Sequence, residues 1–284
     1  MITARESRRW VQGRRPAAGV ARLVVVVLVG AGVLFLALPV VALVARAALG
    51  GTLAGAASSA PVLRALALSL LTTTTSIGVT LVFGLPLAWV LARRPFRGGT
   101  LVEALVDLPI VLPPSVAGLA LLLALGREGV LGHVLTVAGI AIPFTTAAVI
   151  LAQSFVAAPF FVRSARTGFA GVDRDIEDAA RVDGATEWQV VRHVTLALAR
   201  PAVAAGTVMA WARALGEFGA TIMFAGNIAG RTQTLPLLVY AQFEGGSLDS
   251  SIAAAAILTL AAFGVLVAVR VLRWGWVLDA RVTA

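Results

Sequence analysis

The chain has no cysteine and no lysine, and each absence removes a class of chemistry. Without cysteine it can form no disulfide, no thiolate nucleophile and no cysteine metal site. Without lysine it has no phosphate-binding loop of the G-x-x-x-x-G-K-[ST] type, so it does not hydrolyse ATP by that route. Its two histidines, His133 and His193, lie far apart in the sequence. We therefore expect no catalytic residues and no metal or other cofactor on this chain.

Charged residues are also scarce, at 13% of 284 residues, whereas soluble proteins have about 25%. Mean hydropathy is +0.94. Uncharged runs cover residues 23–45, 65–92, 108–126 and 134–162. Each run has about the length of the ~20-residue helix that crosses a ~30 Å hydrocarbon core. Because the backbone must satisfy its own hydrogen bonds in lipid, the spans are expected to be helical. The sequence predicts an all-α polytopic membrane protein.

Six membrane-spanning helices are predicted, at about residues 22–46, 65–92, 106–126, 143–164, 200–224 and 250–272. All 23 basic residues are arginines, and they gather at the ends of the apolar runs. Eighteen of them lie on one side of the membrane in this arrangement, four lie on the other, and Arg213 lies within a span. The positive-inside rule then places both termini in the cytoplasm. Because the net charge of +9 is spread in this way, it indicates topology and not a nucleic-acid partner.

The acidic residues are concentrated in the predicted cytoplasmic loop at residues 165–199, where five of the fourteen fall within 175–191. Asp173 can cap a helix, and Gly184 can end it. Thr186 and Gln189 have the T-x-x-Q spacing of a capping box that opens a second helix. The pattern predicts helix, glycine turn and helix, with an apolar, alanine-bearing face and a charged face. Such an element suits docking to another protein, although a solvated tether between two spans is the alternative.

Residues 178–184, DAARVDG, resemble the E-A-A-x-x-x-G signature of the EAA loop in ABC-importer permeases, with aspartate in place of glutamate. The I-x-L-P element of that family is represented by VTLA at 194–197, which lacks the proline. The resemblance implies that this loop is a coupling helix seated in a separate ATPase subunit, which would bind ATP and Mg. The residues expected to make this contact are Asp178, Ala179, Ala180, Asp183, Gly184 and Trp188.

Two further segments, DLPIVLPPSVAGL at 107–119 and the run from 213 to 240, resemble the molybdate/tungstate permeases and the related sulfate/thiosulfate permeases. The similarity covers about residues 60–272. It implies a type I importer permease fold in a bacterial or archaeal plasma membrane. The implied partners are an ATP-binding cassette subunit, an extracytoplasmic oxyanion-binding protein, membrane lipid and a second permease copy. Sulfate or thiosulfate transport and ion-coupled secondary transport remain alternatives.

Four parts of the chain are predicted. They are a cytoplasmic N-terminal tail at 1–21, a first span with its external loop at 22–62, a permease core at 63–272 that contains the coupling loop, and a cytoplasmic C-terminal tail at 273–284.

Several polar or helix-breaking residues within the spans are candidates for a translocation pathway or gate. Prolines remove helix N–H groups, which a membrane tolerates where the freed carbonyls face protein or a cavity. An arginine and a glutamate four residues apart can pair on one helix face, which is a purely structural alternative to gating. Threonine hydroxyls can line a path or bond to carbonyls of their own helix. The candidates are Arg213, Glu217, Pro113, Pro114 and Thr74.

Overall fold

The computed structural model describes the backbone of residues 15–282 and the side chains of residues 21–267. Residues 1–14 of the predicted N-terminal tail and the last two residues of the predicted C-terminal tail lie outside the described residues. Within the described range the chain is helical and contains no strand. The helices are α1 (Arg15–Leu49), α2 (Thr52–Ser58), α3 (Ala60–Arg93), α4 (Gly99–Val111), α5 (Pro114–Leu125), α6 (Gly132–Val137), α7 (Thr146–Ala170), α8 (Arg174–Val182), α9 (Glu187–Gln189), a π-helical segment (Val190–Thr195), α10 (Leu196–Leu215), α11 (Gly219–Ala225), α12 (Leu235–Glu244) and α13 (Leu248–Val282).

Five described helices are long and apolar enough to cross a membrane, and a bent helix pair raises the number to six. The five are Ala21–Leu49, Ala60–Arg93, Thr146–Ala170, Glu187–Leu215 and Leu248–Val267, and the pair is α4 with α5. The all-helical membrane architecture predicted from the sequence is therefore confirmed.

The third predicted span, at 106–126, is broken rather than straight. α4 ends at Val111, α5 begins at Pro114, and the two axes meet at 119°. Leu112 and Pro113 between them have extended backbone angles, with ψ near +135° at both residues. Two consecutive prolines cause this, because each lacks an N–H group and disfavours the helical conformation of the residue before it. The predicted break at the prolines is confirmed, and it turns the chain sharply.

The predicted boundaries of the fifth span, at 200–224, are wrong. One continuous helix runs from Glu187 through the π segment to Leu215, and a separate short helix, α11, follows after a break. The carboxylate of Glu217 stabilises this break, since its Oε1 accepts a hydrogen bond from the N–H of Ala220 at 2.7 Å. Residues 225–249, between the fifth and sixth predicted spans, also contain a helix, α12, whose apolar side chains pack against α3 and α13.

The core of the chain is the packing of α7 against α3 and α10, which also contact each other. Small residues let these helices approach closely, as is common between membrane helices. A Cβ on Gly84 of α3 would lie 2.9 Å from the ring of Phe161. A Cβ on Gly206 of α10 would lie 2.8 Å from that of Ser164. α1 lies at the periphery instead, where it contacts α2 and α13 and leaves its apolar side chains exposed.

Candidate functional site

The acidic loop folds as helix, glycine turn and helix, as its sequence predicts. Asp173 caps α8 by accepting a hydrogen bond from the N–H of Asp175 at 3.0 Å. Gly184 follows the helix with φ of +90°, a left-handed conformation that costs other residues free energy. Thr186 and Gln189 form a complete capping box at the start of the next helix. Local hydrogen bonds therefore define the shape of this segment.

α8 turns an apolar surface away from the rest of the chain. Ile176 is 47% exposed and Val182 is 87% exposed. Trp188, beyond the glycine turn, is 68% exposed. Of the six residues expected to contact an ATPase, five are exposed and Ala180 is half-buried. We call this surface, formed by α8, the glycine turn and Trp188, the coupling surface.

Arg181 ties the two sides of the glycine turn together. Its Nη1 donates to Asp178 at 2.6 Å, and its Nε donates to Glu187 at 2.7 Å. The hydrogen bond to Glu187 is the main reason that the pKa of Arg181 is raised above its ordinary value. Asp178 is thus held by an ion pair within the loop, three residues from its partner.

A buried ion pair joins α8 to the end of α3, and the sequence pattern did not single it out. Glu177 Oε1 lies 3.0 Å from Nη2 of Arg93, and both side chains are only 8% exposed. The hydroxyl of Thr195 donates to the same oxygen at 2.5 Å. Arg93 Nη2 also donates to the backbone carbonyl of Val172 at 2.8 Å. Glu177 is one of five acidic residues within 175–191, and nothing in the local spacing separates it from its acidic neighbours.

The breaks after α4 and after α10 lie side by side. Gly219, which starts α11, packs on Pro114, which starts α5: a Cβ on the glycine would lie 2.7 Å from that of the proline. One turn further, a Cβ on Gly118 would lie 2.5 Å from the carbonyl oxygen of Ala220. Pro113 and Pro114 are exposed beside this contact. We call the paired breaks the junction.

Arg213 and Glu217 form the predicted ion pair, at 2.6 Å between Nη2 and Oε2. Glu217 is 1% exposed and Arg213 is 28% exposed. No N–H of the arginine points along a hydrogen bond to Oε2. Because α10 ends between the two residues, the pair spans the break and belongs to the junction. Four of the five pathway candidates therefore lie at the junction, namely Pro113, Pro114, Arg213 and Glu217.

Thr74, the fifth candidate, occupies an exposed position on α3. Its neighbours Thr72 and Thr75 donate to the carbonyls of Leu68 and Leu71, at 2.9 Å and 2.8 Å. The expected bonding of threonine hydroxyls to their own helix is therefore confirmed for these two residues.

Residues 84–274 match the family described as the binding-protein-dependent transport system inner membrane component. The chain belongs to this family. As an inner-membrane component with several apolar spans, the permease is a multi-pass membrane protein.

Curated relatives of the permease come from bacteria and archaea. It is 44% identical over 213 residues to the molybdenum transport system permease protein ModB of Mycobacterium tuberculosis, covering 75% of this chain and 80% of that one. It is 39% identical over 270 residues to a probable molybdenum ABC transporter permease protein of Haloferax volcanii, covering 92% and 96%.

Among solved structures, the permease resembles a chain of a bacterial alginate ABC transporter in complex with alginate pentasaccharide-bound periplasmic protein. The TM-score is 0.65 at 19% identity, over 92% of this chain and 96% of that one. This likeness confirms the expected type I importer permease fold.

Within the residues that the structure describes, no group of three or more histidine or acidic side chains could hold a metal ion.

Hydrogen bonds hold the segment after α11 of the permease to the membrane helices. The hydroxyl of Ser69 on α3 accepts from the N–H of Leu235 at 2.7 Å, in a fully buried position. The hydroxyl of Thr146 at the start of α7 donates to the carbonyl of Arg231 at 2.9 Å. These bonds attach the segment between α11 and α13 to two membrane helices, α3 and α7.

Proposed function

We propose that the permease is the membrane subunit of a binding-protein-dependent ABC importer that moves molybdate, or tungstate, into the cytoplasm. Its membership of the permease family and the names of its relatives support the substrate. The chain has no lysine for a phosphate-binding loop, so ATP and Mg are proposed to bind to a separate ATPase subunit. An extracytoplasmic binding protein delivers the oxyanion, and two permease copies enclose the path.

The coupling surface is the proposed contact with the ATPase. With both termini in the cytoplasm, as the arginine distribution favours, α8 lies on the cytoplasmic side. Ile176, Val182 and Trp188 give this surface exposed apolar side chains. Tryptophan in particular is enriched among the residues that anchor protein interfaces. Movement of two ATPase subunits toward each other upon ATP binding would draw the two coupling surfaces together and open the path outward.

The junction is the proposed place where the path can open and close. Broken helices in a membrane are tolerated where their free backbone groups face protein or a cavity. The partly exposed guanidinium of Arg213 could attract an oxyanion, while the carboxylate of Glu217 at 2.6 Å offsets its charge. A compensated cation holds a dianion weakly, which suits passage better than storage.

The substrate is tested by cellular molybdenum content, measured by elemental mass spectrometry in cells that lack or carry the permease. Cells grow in trace molybdate, with and without a large excess of sulfate. Loss of molybdenum on deletion, restored by the chain and unaffected by sulfate, is the expected result. Loss that sulfate excess also produces in intact cells, together with poor growth on sulfate as sole sulfur source, would instead assign the permease to sulfate transport.

The docking role of the α8 loop is tested at Gly184. Valine there must adopt a left-handed conformation, at a cost of about 1–2 kcal/mol, so the turn is expected to open. Gly184→Val should abolish molybdate uptake while membrane insertion stays normal. Gly184→Asn is the matched control, since asparagine accepts this conformation, and it should retain most uptake. Normal uptake by the valine variant would refute the role of the turn.

A further inference from the structure

α8 is attached to the membrane body through a charged side chain rather than an apolar one. Glu177 is the single buried residue of α8, all of which lies in the described part of the chain. The apolar residues Ile176 and Val182 of the same helix are exposed. Burying an ion is unfavourable unless it is paired and hydrogen-bonded, so the position of Glu177 depends on its partners.

Those partners come from three other elements. Arg93 is the last residue of α3, Val172 lies in the turn after α7, and Thr195 closes the π segment that leads into α10. The guanidinium of Arg93 contacts both the Glu177 carboxylate and the Val172 carbonyl, and the Thr195 hydroxyl donates to the carboxylate. Glu177 is therefore connected at once to the ends of the three helices that form the core.

The π segment contributes to this arrangement. Such segments insert an extra residue into a helical turn and are frequent at functional sites. Here the N–H of Leu196 bonds to the carbonyl of Val191, five residues earlier, and the Thr195 hydroxyl lies 3.4 Å from the carbonyl of Val190. The altered register places Thr195 on the face that meets α8.

This contact differs from the other ion pairs in the described part of the chain, because it alone has both side chains less than a tenth exposed. Arg93, Glu177 and Thr195 also line a cavity of about 360 Å³ between α3 and the α8 loop. The cavity means that close apolar packing does not replace the polar contact on this side.

We propose that Glu177 is a positioning residue for energy coupling, which with Arg93 and Thr195 clamps α8 to the ends of α3, α7 and α10. A displacement of α8 then moves the three core helices together. Without the clamp, α8 is joined to the core by its flanking backbone and by the more exposed ion pair of Arg181 with Glu187. It then moves without carrying the three helices with it. This inference rests on the proposed docking of an ATPase at the coupling surface.

The test uses the complete complex of permease, ATPase subunit and binding protein, reconstituted in liposomes. Molybdate imported and ATP hydrolysed are measured in the same vesicles, and their ratio is compared among variants. Glu177→Gln removes the charge and Thr195→Val removes the hydroxyl at nearly constant shape. Thr195→Ser keeps the hydroxyl, and Asp107→Asn disrupts the exposed pair between Asp107 and Arg163, so these two are the controls.

We expect the amount of molybdate imported per ATP to fall about tenfold in Glu177→Gln and severalfold in Thr195→Val. Both changes lie within the range by which single substitutions alter the coupling between two sites. ATP hydrolysis continues in both variants, and both controls keep the wild-type ratio within about twofold. A wild-type ratio in Glu177→Gln would overturn the proposal. So would loss of the ATPase subunit from both test complexes, because the contact would then serve assembly.

The experiment distinguishes an error in the proposed substrate from an error in the proposed clamp. If wild-type vesicles import sulfate and not molybdate, the proposed substrate is wrong, and the same ratio is measured with sulfate. If wild-type vesicles import an oxyanion without any ATP hydrolysis, the proposed ATPase partner is wrong, and the proposed clamp is refuted as well. Wild-type transport with unchanged coupling in the Glu177 and Thr195 variants refutes the clamp alone.

Discussion

Replacing Gly118 with alanine should force the two halves of the junction apart. The added Cβ would lie 2.5 Å from the carbonyl oxygen of Ala220 and 2.8 Å from its Cα. Ordinary contact begins at 3.4 Å, so α5 and α11 must separate by about 0.9 Å. Because backbone atoms are the obstacle, no side-chain rotation relieves the clash.

The expected net loss of stability follows from two opposing effects. Overpacking of this kind costs about 1–3 kcal/mol. Alanine recovers about 1 kcal/mol, because it favours a helix more than glycine does. We therefore expect Gly118→Ala to lose up to about 2 kcal/mol of stability. It should also transport slowly, because the shift displaces the N–H of Ala220 from Glu217.

Thermal unfolding of the purified permease in detergent, followed by tryptophan fluorescence, measures the first effect, and uptake of molybdate measures the second. Gly78→Ala on α3 is the matched control, because its added Cβ would meet nothing within 4 Å beyond its chain neighbours and the backbone of its own helix. It should unfold at or slightly above the wild-type temperature. If Gly118→Ala matches Gly78→Ala in both assays, α5 and α11 do not meet through their backbones, and the reasoning is refuted.

Two further substitutions test single hydrogen bonds. Ser69→Ala leaves the buried N–H of Leu235 without its acceptor, so the variant should lose about 1–3 kcal/mol of stability in thermal unfolding. Thr75→Val, at an exposed position, should lose much less. Equal losses of stability in the two variants would contradict the assigned hydrogen bond. Glu217→Ala should reduce uptake more than Glu217→Gln at equal expression, because the glutamine oxygen can still accept a hydrogen bond from the N–H of Ala220. Equal uptake by the two variants would show that this cap of α11 is unimportant.

Features fixed by neighbouring residues could be predicted from the sequence. Uncharged length identifies most of the spans, and the cap at Asp173, the turn at Gly184 and the box of Thr186 with Gln189 each involve residues within one helical turn. Prolines likewise mark the break in the third span. In all these cases the physical cause lies inside a short window of sequence.

The break in the fifth span and the clamp of α8 could not be predicted in this way. Apolar composition is the same whether a helix continues or turns, and the break depends on Glu217 acting as a cap as well as an ion-pair partner. The burial of Glu177 depends on Arg93, which lies on a helix far earlier in the chain. α12 was missed because its ends are surrounded by glycine and polar residues typical of loops.

The peripheral place of α1 has a consequence for biogenesis. Among the long helices, α1 contacts α13, which is synthesised roughly 200 residues later. At about 5–20 residues per second, α1 waits on the order of ten seconds or more for that neighbour. It must persist alone in lipid during this time, and its long apolar sequence, with no charged residue between Arg22 and Arg46, suits it to do so. The helix Glu187–Leu215 is less apolar, but it is made after α3 and α7 and inserts beside neighbours that are already present.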